Sequence, residues 1–215
     1  MERDLQALSV LVEPQRLRVY EHLRALAGPA SLTEMAAVLD MGRTLLTFHL
    51  GKLVEEGFVE VLAPDVSDGR RGRPSQRYRV TDREVSASVP PRRYELVAEV
   101  LLEAAAEGSE PADVARRRGI ALADEQGVRR RGRPAPLTLV ESLLRKLGYA
   151  PRRAGDELVL ASCPFDRLRA TNLDLVCGIN AGLAQGYLEG LGLADAVTSR
   201  LRPCPDSCCV VFSPA

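Results

Sequence analysis

The chain has 215 residues, 46% of them apolar, and a formal net charge of zero. That is enough apolar material for one large core or two small ones, and with no Trp and few aromatics the filling must be aliphatic. No apolar run approaches the ~18–20 residues that span a bilayer, and MERDLQALSV lacks a basic stretch followed by an apolar one, so a membrane protein and a secreted one are both disfavoured and a cytoplasmic location is expected.

The first helical stretch opens at Glu13-Pro14, where proline suits a first turn. Leu17, Tyr20, Leu23 and Leu26 then recur at helical spacing until Gly28-Pro29 stops the run. SLTE follows, with Ser31 as N-cap and Glu34 three residues on, a capping box for a short helix to about Val38. LDMG (39–42) is a tight turn. A third helix runs from Arg43 to about Glu56 with Leu46, Leu50, Leu53 and Val54 on one face, and Gly57 stands where a helix end takes a left-handed residue. The period then changes. FVEVLA (58–63) and RYRVT (77–81) read as strands, joined by the Pro-, Gly- and charge-rich hairpin loop PDVSDGRRGRPSQ.

EVSASVP (84–90) reads as a linker. Beyond it, helices are expected from Pro91 to about Glu107, from Pro111 to Glu125 and from Leu137 to Leu147, the last ended by Gly148. YAPRRAGDELVLAS suggests a hairpin turning at Gly155-Asp156, Asp174 to Leu191 is strongly helical, and CCVVF is a short final strand. The expected fold class is α+β: an N-terminal winged helix-turn-helix over 1–83, then a helical α+β sensor and dimerisation domain over 91–215.

Three short helices and a long-looped hairpin are the order of a winged helix-turn-helix, whose second paired helix enters the major groove. With its apolar side turned inward, the helix from Arg43 presents Arg43, Thr44, Thr47, Phe48 and Lys52 outward, residues suited to base edges and phosphates. His49 is expected to pack behind the helix. The wing carries RRGRP (70–74), where Arg70, Arg71 and Arg73 suit the negative potential of a narrow minor groove, glycine permits close approach and proline keeps the chain extended. The same five residues recur at 130–134, away from any wing, and read as coincidence in an Arg-rich chain.

Over about residues 10–83 the chain resembles ArsR-type and DeoR-type bacterial regulators, on the strength of HLGKLVEEGFVEV and the register of helix, turn, glycine and wing. The RRGRP loop resembles the core of an AT-hook. These resemblances imply a transcription regulator that binds double-stranded DNA as a homodimer.

The five cysteines, Cys163, Cys177, Cys204, Cys208 and Cys209, all lie in the last quarter. Clustered thiols with no export signal read as metal ligands or redox centres more readily than as disulfides. None is spaced as the tight C-x2-C pair of a zinc ribbon, so the fold would have to assemble any site. Zinc, a thiol switch without metal, and inert burial of small hydrophobes remain open. CPF at 163, LVCGIN at 175–180, LEGLG and the terminal CCV resemble the C-terminal domain of SufR-like repressors. That resemblance implies an iron–sulfur cluster, of 4Fe–4S type, on Cys163, Cys177 and Cys208 or Cys209. Cys204 has no counterpart and would replace a lost ligand; Asp166 stands where relatives carry His. With His22 and His49 as the two histidines, and no P-loop or GxGxxG, no enzyme is expected.

Overall fold

The computed structural model describes residues 2–63, 76–125, 135–202 and 208–215. The fold is α+β, helices combined with two small antiparallel sheets. The chain divides into two units, Met1–Ala87 and Ser88–Ala215, and the division falls within the stretch 84–90.

The first unit runs α1 (Glu2–Leu11), α2 (Pro14–Ala25), β1 (Ala30–Ser31), α3 (Leu32–Leu39), α4 (Arg43–Glu55), β2 (Val59–Leu62) and β3 (Arg77–Val80), with sheet order β1-β3-β2. Local chemistry sets the boundaries. The Glu13 carboxylate accepts the backbone N–H groups of Gln15 at 3.2 Å and Arg16 at 2.7 Å, capping α2. Ser31 and Glu34 close the capping box of α3 in both directions. Asp40 takes a left-handed conformation to end α3, and Gly57, at φ 75°, carries the chain out of α4 into β2. Val19, Leu23, Met35, Leu46, Leu50 and Leu53 fill the core.

Two features depart from the sequence reading. Helix α1 was not anticipated; its buried anchor is the small Ala7, too slight to mark a periodic apolar face. In α2 the buried residues are Val19 and Leu23, while Leu17 and Leu26 are exposed, because the helix is covered by α1, α3, α4 and β3 along a different line than the leucines suggested.

The second unit runs α5 (Tyr94–Glu107), α6 (Pro111–Glu125), α7 (Pro136–Lys146), β4 (Pro151–Ala154), β5 (Glu157–Leu160), α8 (Asp166–Arg169), α9 (Leu173–Gly190), β6 (Val197–Leu201) and β7 (Val210–Pro214). Its sheet is ordered β4-β5-β7-β6 and wholly antiparallel. Gly155, at φ 61°, turns the β4–β5 hairpin. Helix α5 begins at Tyr94 rather than Pro91, and α8 and β6 were not anticipated: α8 is a single turn, and the VTSRL of β6 is mostly polar.

Helix α9 is the axis of this unit, packing on α6 along one side and on β6 and β7 along another. The α6 contact is a backbone-to-backbone seam. A Cβ on Gly182 would lie 2.3 Å from the Ala112 carbonyl oxygen, one on Gly186 1.8 Å from that of Arg116, and one on Gly119 2.3 Å from that of Leu183. Only glycine allows helices to meet so closely.

Candidate DNA-binding face and cysteine site

Helix α4 buries Leu46, His49, Leu50 and Leu53 and turns the opposite side to solvent. Arg43, Thr44, Thr47 and Phe48 are exposed there, and Lys52 is half-buried at the flank. The Arg43 guanidinium is held back toward α3, Nη2 donating to Thr33 Oγ1 at 2.6 Å. The Thr47 hydroxyl donates to the Arg43 carbonyl at 2.8 Å, one turn earlier. Lys52 Nζ pairs with Glu55 at 2.6 Å. Leu45, which the sequence reading did not single out, is also exposed. His49 packs inward, its Nδ1 3.4 Å from the Glu13 carboxylate that caps α2. Arg70, Arg71 and Arg73, like the second RRGRP, lie outside the described residues.

The cysteine site is built from three segments of the second unit. Cys163 follows β5, in a loop tied to the segment before α5: Arg92 Nη1 donates to the Cys163 carbonyl at 2.6 Å, and the Arg93 N–H donates to the Pro164 carbonyl at 3.2 Å. Cys177 sits near the start of α9, which Asn172 caps by accepting the Leu175 N–H at 3.1 Å. Cys208 and Cys209 precede β7, where the Cys208 N–H donates to the Leu160 carbonyl at 2.9 Å and the Arg202 N–H to the Cys209 carbonyl at 2.6 Å. Cys204 lies outside the described residues. The four described cysteines are all buried and free.

Their sulfurs meet two by two, Cys163 with Cys208 and Cys177 with Cys209. The hydrogen bond from Cys208 holds the Cys163 thiol below its ordinary range against the opposing effect of burial. The same bond, with burial, drives Cys208 the other way. Burial first, then the bond to Cys209, pushes Cys177 up to about 12. Arg169 of α8, its side chain mostly covered, interacts electrostatically with Cys209, Cys163 and Cys177, and its Nη1 lies 3.4 Å from Asp166. Thus the charge of Arg169 acts on members of both sulfur pairs. Among the described residues no three His, Cys, Asp or Glu side chains are grouped so as to hold an ion; the site is two pairs. Its donor chemistry, several buried thiols beside a guanidinium, still fits a soft or borderline centre.

Sequence reasoning missed the second layer. Asn180, 2% exposed, donates through Nδ2 to Cys208 Sγ at 3.0 Å and accepts from the Tyr149 hydroxyl at 2.5 Å. Burial, and then the nearby Cys208 and Cys163, raise the Tyr149 phenol well above its ordinary range, so it remains a donor. An apolar cavity lined by Leu96, Leu144, Phe165 and Leu183 adjoins both Tyr149 and Asn180. The available signal was Asn180 itself, a polar residue three positions after Cys177 in an otherwise apolar helical run.

A family model described as a helix-turn-helix domain matches residues 11–61. The match begins at the end of α1 and closes within β2, taking in α2, α3 and α4 whole. It marks a helix-turn-helix domain over those residues at the N-terminus and suggests a DNA-binding transcriptional regulator. No curated protein matches the chain. Among the described residues no helix is long and apolar enough to cross a membrane.

Proposed function

We propose that this helix-turn-helix regulator places α4 in the major groove of an operator and senses iron or redox status through its cysteine site. Arg43, Thr44, Thr47, Phe48 and Lys52 face the duplex, and Arg70, Arg71 and Arg73 reach an adjacent minor groove. A homodimer supplies the two reading helices that a palindromic site requires. Cys163, Cys177, Cys208 and Cys209, with Cys204 as a further donor, are the residues that would hold an iron–sulfur cluster, 4Fe–4S in type, or alternatively zinc. Such a cluster, when bound, supplies a centre whose presence depends on iron and oxidants. The chain's own part is to keep the thiols dry, to set Arg169 against their negative charge, and to couple their arrangement to the DNA-binding state. That coupling requires the liganded and unliganded arrangements to favour different conformers.

The observation that supports this reading is that Cys163, Cys177, Cys208 and Cys209, from three separated segments, are all buried and free, with the charge of Arg169 acting on three of them. The pairing of sulfurs favours a second reading, a metal-free thiol switch. There, peroxide would accept two electrons and two protons from Cys163 and Cys208, forming one disulfide and two waters. Anaerobic purification followed by iron, sulfide and zinc analysis separates the two. Iron with sulfide and absorbance near 400 nm, lost in Cys163→Ala and Cys177→Ala, supports the cluster. Colourless protein with stoichiometric zinc supports a structural metal, and metal-free protein with an oxidisable pair supports the switch.

A further inference from the structure

The outer line of α4 is poor in free hydrogen-bonding groups. Thr44 and Phe48, one turn apart, lie at its centre, and Phe48 is 55% exposed. Leu45 flanks them and is 47% exposed. The Thr47 hydroxyl is engaged by its own helix, which leaves its methyl group as the outward offering. Arg43 is drawn toward Thr33 and Lys52 toward Glu55, so the long cations flank the line and do not occupy it. The next position along is Gly51, exposed in mid-helix, where an added Cβ would meet nothing within 4 Å. A glycine in a helix interior is less stable than an alanine there. Among the described residues nothing packs on that position, whereas close approach of another surface to the helix would call for glycine.

The helix-turn-helix match covers this helix, so the surface it meets is the major groove. One group in that groove is apolar: the 5-methyl of thymine, which Phe and the Thr methyl contact well. We infer that α4 reads its operator chiefly through thymine methyl groups, packed on Phe48 with Thr44, Thr47 and Leu45, and that Gly51 lets the helix seat deeply enough to reach them. This rests on the DNA-binding reading and names what that face recognises.

Deoxyuridine tests it, since it keeps every pairing and groove hydrogen-bonding group of thymidine and lacks only the methyl. The probe is a duplex selected by the full-length chain from a random-sequence pool, resynthesised with uracil replacing one thymine at a time. Affinity should fall on the order of fourfold per contacted methyl, as expected for burying one methyl-sized group, and the Phe48→Ala variant should bind weakly and lose that sensitivity. Gly51→Ala should bind less tightly while melting higher. Uracil substitution without effect at every position, or a Phe48→Ala protein that keeps wild-type sensitivity, would overturn the inference and leave DNA binding intact. Gly51→Ala binding at full strength would overturn deep seating. Selection of no duplex at all would overturn the DNA-binding reading and this inference with it.

Discussion

Replacing Gly186 with alanine puts the α6–α9 seam to a direct test. The new Cβ would stand 1.8 Å from the Arg116 carbonyl oxygen and 2.7 Å from its carbon. Relaxed C···O approaches lie at about 3.3–3.6 Å, so the helices must part by roughly 1.5 Å. Both obstructing atoms are backbone, and no rotamer change relieves them. Parting there also loosens the seam at Gly182 and Gly119, where the same closeness recurs. Overpacking of this kind costs ~1–3 kcal/mol and occasionally more; a seam between two backbones belongs at the upper end, against a helix-propensity gain of ~1 kcal/mol for alanine. The net expectation is a loss of about 2 kcal/mol or more, a fall of roughly 8 °C in a unit of this size. Gly178 is the internal control. It lies in the same helix, an added Cβ there meets nothing within 4 Å, and Gly178→Ala should stabilise by up to ~1 kcal/mol. Because all five cysteines lie between positions 163 and 209, thiol labelling during a thermal ramp reports the second unit alone. A Gly186→Ala protein that labels no earlier than wild type, or that matches Gly178→Ala, would refute the seam.

The remaining predictions address the cap and the buried polar layer. Ser31→Ala should cost the first unit ~1 kcal/mol, the usual value of an N-cap, measured by urea unfolding. The Ser31 backbone N–H, then its hydroxyl, and then Arg77 hold the Glu34 carboxylate below its ordinary value. Its contribution is therefore present above the unfolded carboxylate range near 4.5 and is lost as pH falls through the lower folded value; Glu34→Gln should be less stable than wild type at pH 7 and converge with it in acid. Tyr149→Phe leaves the buried Asn180 carbonyl oxygen without its phenolic donor and should cost ~1–3 kcal/mol, while Asn180→Leu, which removes the donor that holds the Cys208 thiol down against burial, should slow alkylation of Cys208.

What the sequence made legible was whatever rests on neighbours along the chain. Ser31 with Glu34, Gly57 after the α4 helix and Gly155 in its hairpin each act over a few residues, so their signals survive without a fold. Helix α6 could be read from Pro111 to Glu125 for the same reason. Elements held by distant partners were not legible. Helix α1 has Ala7 as its buried anchor, with Val10 and Leu11 packing partly buried beside it, and β6 is a polar strand that exists because it pairs with β7 from Val197↔Pro214 to Leu201↔Val210. The cysteines were visible as a cluster in sequence, but their two-by-two pairing depends on where β5, α9 and β7 bring them. Asn180 and Arg169 have roles only once those elements meet.

Helix α9 joins these observations. Gly182, Gly186 and Gly190 recur every fourth residue and line one side of it against α6. Cys177, Asn180, Ala184 and Tyr187 fall on the other side by helical spacing, and all four are buried. The same rod therefore fixes its distance to α6 by glycine contact and carries a thiol and an amide to the strand that brings Cys208 and Cys209. Backbone contact leaves no flexible side chain in the seam to absorb a displacement. A rearrangement of the sulfurs that moved Cys177 would be transmitted along α9 to α6 as a shift of the whole helix. Gly178→Ala, which leaves the seam untouched, should therefore keep the α6–α9 spacing, while Gly186→Ala widens it.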